Sequence, residues 1–123
     1  MTGGREWVRD QQLAKIVRNE LSMIMGSASE ERLGMIEVLS VEPKHGGSGF
    51  LVVYGPPTIT PEEVPEIVDR TDAQRIIDNA NGFLRSELVQ AMNVKNAVDI
   101  SFTPSPVAWE EWERVSRSGD AGS

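Results

Sequence analysis

The sequence predicts an α+β domain: a three-stranded sheet with helices on one face, followed by a short C-terminal helix. Three observations predict it. Residues 10–25 carry apolar side chains at i, i+3 and i+4 spacing, the mark of a helix with one buried stripe. Residues 35–41 and 50–54 are apolar runs rich in β-branched side chains, separated by a glycine-rich loop, which reads as an antiparallel hairpin. Between Ala73 and Met92 two apolar helical patterns meet at Gly82, and an alternating segment around Ile100 follows. A sheet covered by helices on one side buries all of these runs.

Composition narrows the function. The chain has 123 residues, the size of one domain with a modest core. It has no cysteine, and His45 is its only histidine, which excludes a disulfide framework, a thiol nucleophile and a two-histidine zinc motif. No apolar run approaches a bilayer span and residues 1–7 lack an apolar signal core, so the expected location is cytoplasmic, with no membrane partner. A net charge of −7 argues against binding nucleic acid by bulk electrostatics. The charge is uneven, however. Residues 62–72 hold Glu62, Glu63, Glu66, Asp69 and Asp72 against Arg70, whereas the first helix carries Arg5, Arg9, Lys15 and Arg18 against Glu6 and Asp10.

Taken in order, residues 1–8 read as a flexible leader. The first helix buries Leu13, Ile16, Val17, Leu21, Ile24 and Met25, with Asp10 suited to its positive end and Gly26 to its close. Residues 27–34 read as a connector. The hairpin strands follow, the first stopped by Pro43 and the second by Gly55-Pro56-Pro57. Thr60-Pro61-Glu62-Glu63 is a capping box, and Pro65 so soon after it implies a short turn that restarts at the second proline. Thr71-Asp72-Ala73-Gln74 is a second capping box and opens the helix that leads to Gly82.

Gly82 is the stretch on which the chain turns. A glycine inside a helix costs about 1 kcal/mol against alanine, and it is also the residue that reaches left-handed angles freely. Two readings stand: a helix that breaks and restarts, exposing backbone N–H groups at one point, or a continuous helix that tolerates the glycine. Beyond it, Phe83, Leu84, Leu88 and Met92 continue the apolar pattern to a C-cap at Asn93, with Lys95 near the negative end. Val98, Ile100 and Phe102 alternate with polar residues as a strand with one buried face. Ser105-Pro106 then starts a helix over residues 105–116 that carries Trp109, Trp112 and Val115. Residues 117–123 read as a disordered tail, which leaves 9–104 as the main domain.

No motif assembles an active site. His45-Gly46-Gly47-Ser48-Gly49 lacks the Gly-Lys-Ser/Thr ending of a phosphate loop and reads as the hairpin turn. Glu62, Glu63, Glu66 and Asp69 read as a solvated charged face rather than a metal site. Trp109 and Trp112, one helical turn apart, either pack the last helix on its own domain or meet a protein partner. No cofactor, small-molecule substrate or catalytic residue is expected, and the chain is expected to be a monomer.

The order of elements, together with Ala80-Asn81-Gly82, Phe83-Leu84-Arg85-Ser86-Glu87-Leu88, Met92-Asn93-Val94-Lys95 and Val98-x-Ile100-x-Phe102, resembles the ribosome-binding factor A family. The resemblance implies a type II KH-like fold in the order helix-strand-strand-helix-kink-helix-strand, with an Ala-x-Gly kink where other KH domains carry Gly-x-x-Gly. It further implies a non-catalytic assembly factor that binds the small ribosomal subunit and its ribosomal RNA during maturation. On that basis Ala80, Asn81 and Gly82 would face RNA and Arg85 would follow on the second helix. Arg75, Asn79 and Lys95 join them as donors or cations within reach of phosphates. The chain departs from the family around Ala97, where a proline is usual, and in the acidic residue missing after the last strand. It departs also in its acidic 56–71 connection and its acidic, tryptophan-bearing C-terminal segment. These departures favour an alternative, an acidic KH-like module that binds protein and has lost RNA.

Overall fold

The computed structural model describes residues 3–44, 49–92 and 99–118. The elements are α1 (Gly3–Ser27), α2 (Glu31–Met35), β1 (Glu37–Pro43), β2 (Phe50–Gly55), a 3₁₀ turn (Pro61–Glu63), α3 (Arg70–Met92), β3 (Ile100–Pro104) and α4 (Pro106–Ser118). β2 is the central strand, antiparallel to β1 and parallel to β3. A parallel pair needs a crossover connection, and α3 supplies it. The α+β class and the order of strands and major helices are as predicted, except that one helix, α3, replaces the predicted pair at Gly82 and α2 is added.

Register explains which face is covered. Val38, Phe50, Val52, Tyr54 and Ile100 are buried on the inner face, whereas Leu51, Val53, Ser101 and Thr103 on the other face are only half-buried. Against the inner face α1 lays Ala14, Val17, Leu21 and Met25, and α3 lays Ala73, Ile76, Ile77, Leu84 and Leu88. Both sets follow the i, i+3, i+4, i+7 rule, so each helix keeps its opposite side in water. α1 and α3 also pack on each other, forming one helical layer over the sheet.

Two glycines have different reasons to be glycine. Gly49 adopts φ 151°, and a Cβ there would lie 2.2 Å from the Asp99 carbonyl oxygen. Its lack of a side chain lets the start of β2 meet β3, where the Phe50 N–H donates to that carbonyl at 2.8 Å. Gly82 has neither a positive φ nor a close neighbour. α3 runs through it as one continuous helix, and a Cβ there would meet nothing within 4 Å.

The structure therefore takes the second reading of Gly82: the break and restart predicted after Ala80 is not formed. Other expectations shift as well. α1 begins at Gly3, so residues 3–8 belong to a helix and not to a flexible leader. A short helix, α2, stands where a connector is predicted; its Gly34 would place a Cβ 3.1 Å from the Met25 carbonyl oxygen. α3 starts at Arg70, one residue before the predicted capping box. The Asp69 carboxylate accepts from the Asp72 N–H at 3.1 Å, and the Asp72 carboxylate accepts from the Val68 N–H at 2.9 Å. These two aspartates cap the helix reciprocally, and Thr71 is left exposed. The Thr60–Glu63 capping box forms as predicted and closes a single 3₁₀ turn, and a short turn follows at Pro65, closed by the Ile67 N–H donating to the Val64 carbonyl at 3.1 Å.

α4 is locked onto the end of the sheet. Trp109 is fully buried, stands edge-on to Tyr54 with ring centroids 6.1 Å apart, and donates its indole N–H to the Tyr54 carbonyl. Trp112 is 5% exposed and donates to the Ile67 carbonyl at 2.9 Å. Both indoles are thus spent on the protein's own interior. The expectation of an exposed tryptophan surface is not met: Trp109 is core, and Trp112 reaches the surface only as part of the wall of a groove beside α4.

Candidate nucleic-acid interface

The candidate site is the solvent side of the helical layer. On α3, Arg75, Asp78, Asn79, Gly82, Phe83, Ser86 and Gln90 are exposed and recur every three to four residues, opposite the buried Ile76, Ile77, Leu84 and Leu88. Ala80 and Asn81 are half-buried, and Ala80 packs against the core. Of the predicted residues, Arg75, Asn79 and Gly82 are brought onto one exposed stripe. Lys95 lies outside the described residues.

Arg75 points into solvent, with only a long 3.5 Å contact to Asp72 one turn back. Arg85 is exposed as well, at the edge of this stripe on the side of Asp78. Ten residues of helix set the two about 15 Å apart along the axis and roughly 80° apart around it. The Arg85 guanidinium instead leans onto the start of β3, donating to the Ile100 carbonyl at 3.2 Å and lying 4.0 Å from Asp99. Lys44, from the end of β1, meets the same carboxylate at 2.8 Å and the Ser101 hydroxyl at 2.7 Å. The Lys44 ammonium holds the Asp99 carboxyl below its usual range by hydrogen bond and charge, and Arg85 adds to it. Two cations on one carboxylate leave an excess of positive charge where α3, β1 and β3 converge.

Two features of this face escape a reading of the sequence. The helical pattern puts Phe83 on the apolar side, yet it is 45% exposed beside Gly82. Lys44 reads only as part of a hairpin, and chain distance hides its role, since Asp99 is 55 residues away. The exposure of Phe83 is in principle readable: a continuous helical register through Gly82 places residue 83 beside 79 and 86, off the Leu84–Leu88 stripe.

α1 contributes to the same layer. Arg9, Lys15 and Arg18 are exposed, and among the described residues none of the three forms an ion pair. Ile16, predicted to be core, is 46% exposed between them. Among the exposed charges of α3's outer stripe, Asp78 is the only acid, and it accepts from Gln74 at 2.9 Å. Cations outnumber acids among the exposed charges of α1 and α3, while Asp10, Glu20, Asp72 and Glu87 are half-buried on the same helices. The layer is therefore near neutral in a protein whose net charge is −7. Among the described residues, no three acidic or histidine side chains group to hold a metal ion, and no helix is long and apolar enough to cross a membrane.

No family model matches the chain, and no curated protein sequence matches it significantly. Solved structures do. The crystal structure of ribosome-binding factor A from Thermus thermophilus superposes with a TM-score of 0.62 at 18% identity, covering 79% of this chain and 99% of that one. The fold is that of ribosome-binding factor A. A homology model of Thermus thermophilus ribosome-binding factor A, fitted into the cryo-EM map of its complex with the 30S subunit, agrees with a TM-score of 0.57 at 16% identity. It covers 80% of this chain and 97% of that one. Within the ribosome-binding factor A fold, this chain places a bare helical backbone at Gly82, an aromatic ring beside it and exposed cations on the neighbouring helix.

Proposed function

We propose that this protein is a non-catalytic assembly factor that binds the small ribosomal subunit and its RNA during maturation, through the outer face of α1 and α3. The observation that carries the proposal is Gly82. It stands on the exposed stripe of an uninterrupted helix, where its own fold needs no glycine and an alanine would be about 1 kcal/mol better. A helix that keeps such a residue has a use for the missing side chain, and close approach of a partner to the backbone is that use. Asn79, Ser86 and Gln90 supply neutral donors around it, Arg75, Lys15 and Arg18 supply charge for phosphates, and Phe83 offers a ring for an unstacked base. Lys44 and Arg85 supply a second cationic point. The likeness of fold to a protein fitted into a 30S map supports this choice of partner. The protein acts in the cytoplasm as a monomer, and binding alone is its contribution to RNA maturation.

The test is co-sedimentation with purified small ribosomal subunits at low and moderate salt. Wild type should bind, and binding should weaken as salt rises, because phosphate contacts release counterions. Gly82→Leu should keep the circular dichroism of a folded protein and lose binding. Absence of wild-type binding at low salt, or full binding by Gly82→Leu, would overturn the proposal.

A further inference from the structure

The acidic connection and α4, which the RNA reading leaves unused, enclose a groove of about 450 Å³. Its walls are Pro57, Ile59 and Pro61 from the connection and Ala108, Trp112 and Val115 from α4. Glu62 and Glu111 stand at its edge. We infer that this groove docks a basic polypeptide segment that inserts apolar side chains between the connection and α4.

Three observations carry the inference. The walls are preformed: prolines at 56, 57, 61 and 65 restrict the connection, the Thr60–Glu63 capping box closes its turn, and the Trp112 indole is fixed by the Ile67 carbonyl. A groove that is already rigid loses little entropy when it is filled. Its lining includes an exposed apolar side chain, Ile59, beside the half-buried Ala108 and Val115. The surroundings are anionic. Glu62, Glu63, Glu66, Glu110 and Glu111 are exposed, and residues 55–69 contain no lysine or arginine. Arg114 pairs with Glu111, so the charge without an ion-pair partner among the described residues is that of Glu62, Glu63, Glu66 and Glu110.

Charge complementarity selects the occupant. Clustered carboxylates repel a phosphate backbone and an acidic peptide but attract lysine and arginine flanking an apolar anchor. Residues 119–123 carry Asp120 and no cation, so this chain's own tail does not fit that rule. The groove is also set apart from the Gly82 face: Arg70, which binds Glu113 of α4, is about 18 Å along α3 from Gly82. The inference therefore does not depend on RNA binding.

The experiment is a two-dimensional ¹H–¹⁵N NMR titration of the full chain with three synthetic peptides: one of alternating lysine and leucine, one with glutamate replacing each lysine, and one of lysine alone. The lysine–leucine peptide should give saturable shifts confined to residues 56–62 and 108–115. The glutamate and all-lysine peptides should bind about tenfold or more weakly, and so should the first peptide to Glu62→Lys/Glu111→Lys. Both positions are exposed, and an unchanged spectrum elsewhere would certify that the variant folds. Equal binding of the glutamate peptide, shifts mapping to α1 or α3, or indifference to the double variant would overturn the inference. So would self-association in sedimentation that the double variant abolishes, which would give the groove to a second copy. Groove shifts produced by single-stranded poly(U) would give it to nucleic acid and overturn the inference equally.

Discussion

The helical layer and the α4 end of this molecule are built on opposite terms. The outer faces of α1 and α3 are polar, carry exposed cations and include a helical glycine that the fold does not require. The α4 end is acidic and apolar, its tryptophans are buried, and its buried carboxylate is fully engaged: Glu113 accepts from the Arg70 backbone at 2.9 Å and from its guanidinium at 2.8 Å. The contrast teaches that a net charge of −7 describes neither surface. Segregation by face lets a small acidic protein keep one helical layer near neutral with its cations outermost, and a composition-level argument against nucleic acid applies to that layer less than to the α4 end.

The largest way to break the contrast is to remove the anchor of α4. Trp109→Ala should lower stability by about 3–5 kcal/mol, because it opens a cavity beside Tyr54 and leaves the Tyr54 carbonyl without its indole partner. Urea denaturation followed by far-UV circular dichroism would measure it. A loss below about 1 kcal/mol would mean that α4 is a loosely held appendage.

Next comes the latch between α4 and α3. The Arg70 hydrogen bond pulls the Glu113 carboxyl from 4.5 to about 2. A depressed carboxylate favours the folded state above its unfolded pKa, and that contribution is lost as pH falls from about 4.5 towards 2. The melting temperature of the wild type should therefore fall through this window. Glu113→Gln should melt several degrees lower at neutral pH and show a flatter decline between those limits. Parallel acid profiles for the two proteins would remove Glu113 from the account of the latch.

Gly82→Ala separates the two regions most sharply. On an exposed, continuous helix it should raise stability by about 1 kcal/mol while weakening association with small ribosomal subunits. Stability and binding moving in the same direction would contradict a glycine kept for a partner. The smallest structural effect belongs to Arg75→Ala, whose exposed side chain makes only one long contact. Stability should stay within about 0.5 kcal/mol of wild type, while the salt slope of subunit binding falls by about 1.

Legibility follows the range of the interactions. The hairpin, the terminal helix with its Ser105 cap and the buried stripe of α1 are readable, because their signals are periodicity and short-range capping. The Trp109 N–H donates to the Ser105 carbonyl at 3.0 Å, as that cap requires. Phe83 is misplaced by the reading that restarts the helix at Gly82, since a continuous register puts it off the Leu84–Leu88 stripe, whereas Ile16 lies at the margin of the α1 stripe, where the neighbouring elements decide burial. The start of α3 differs because Asp69 and Asp72 cap each other more fully than Thr71 and Gln74 do. Of the predicted RNA-facing set, Arg75, Asn79 and Gly82 share an exposed stripe, while Ala80 packs inward and Arg85 turns towards β3.

By itself the sequence determined the α+β class, the order of helices and strands, and the absence of thiol chemistry and of a two-histidine zinc motif. Those properties are local, set by spacing and composition within a few turns or strands. Tertiary structure alone decided that α3 passes through Gly82 unbroken, that Lys44 and Arg85 share Asp99, and that Trp109 and Trp112 close the core. It also decided that exposed cations gather on α1 and α3 and exposed acids on the 56–69 connection and α4. The shared Asp99 and the buried indoles depend on groups brought together from distant parts of the chain, and α3 is held through Gly82 by the packing of its flanks, Ile76, Ile77, Leu84 and Leu88, in the core.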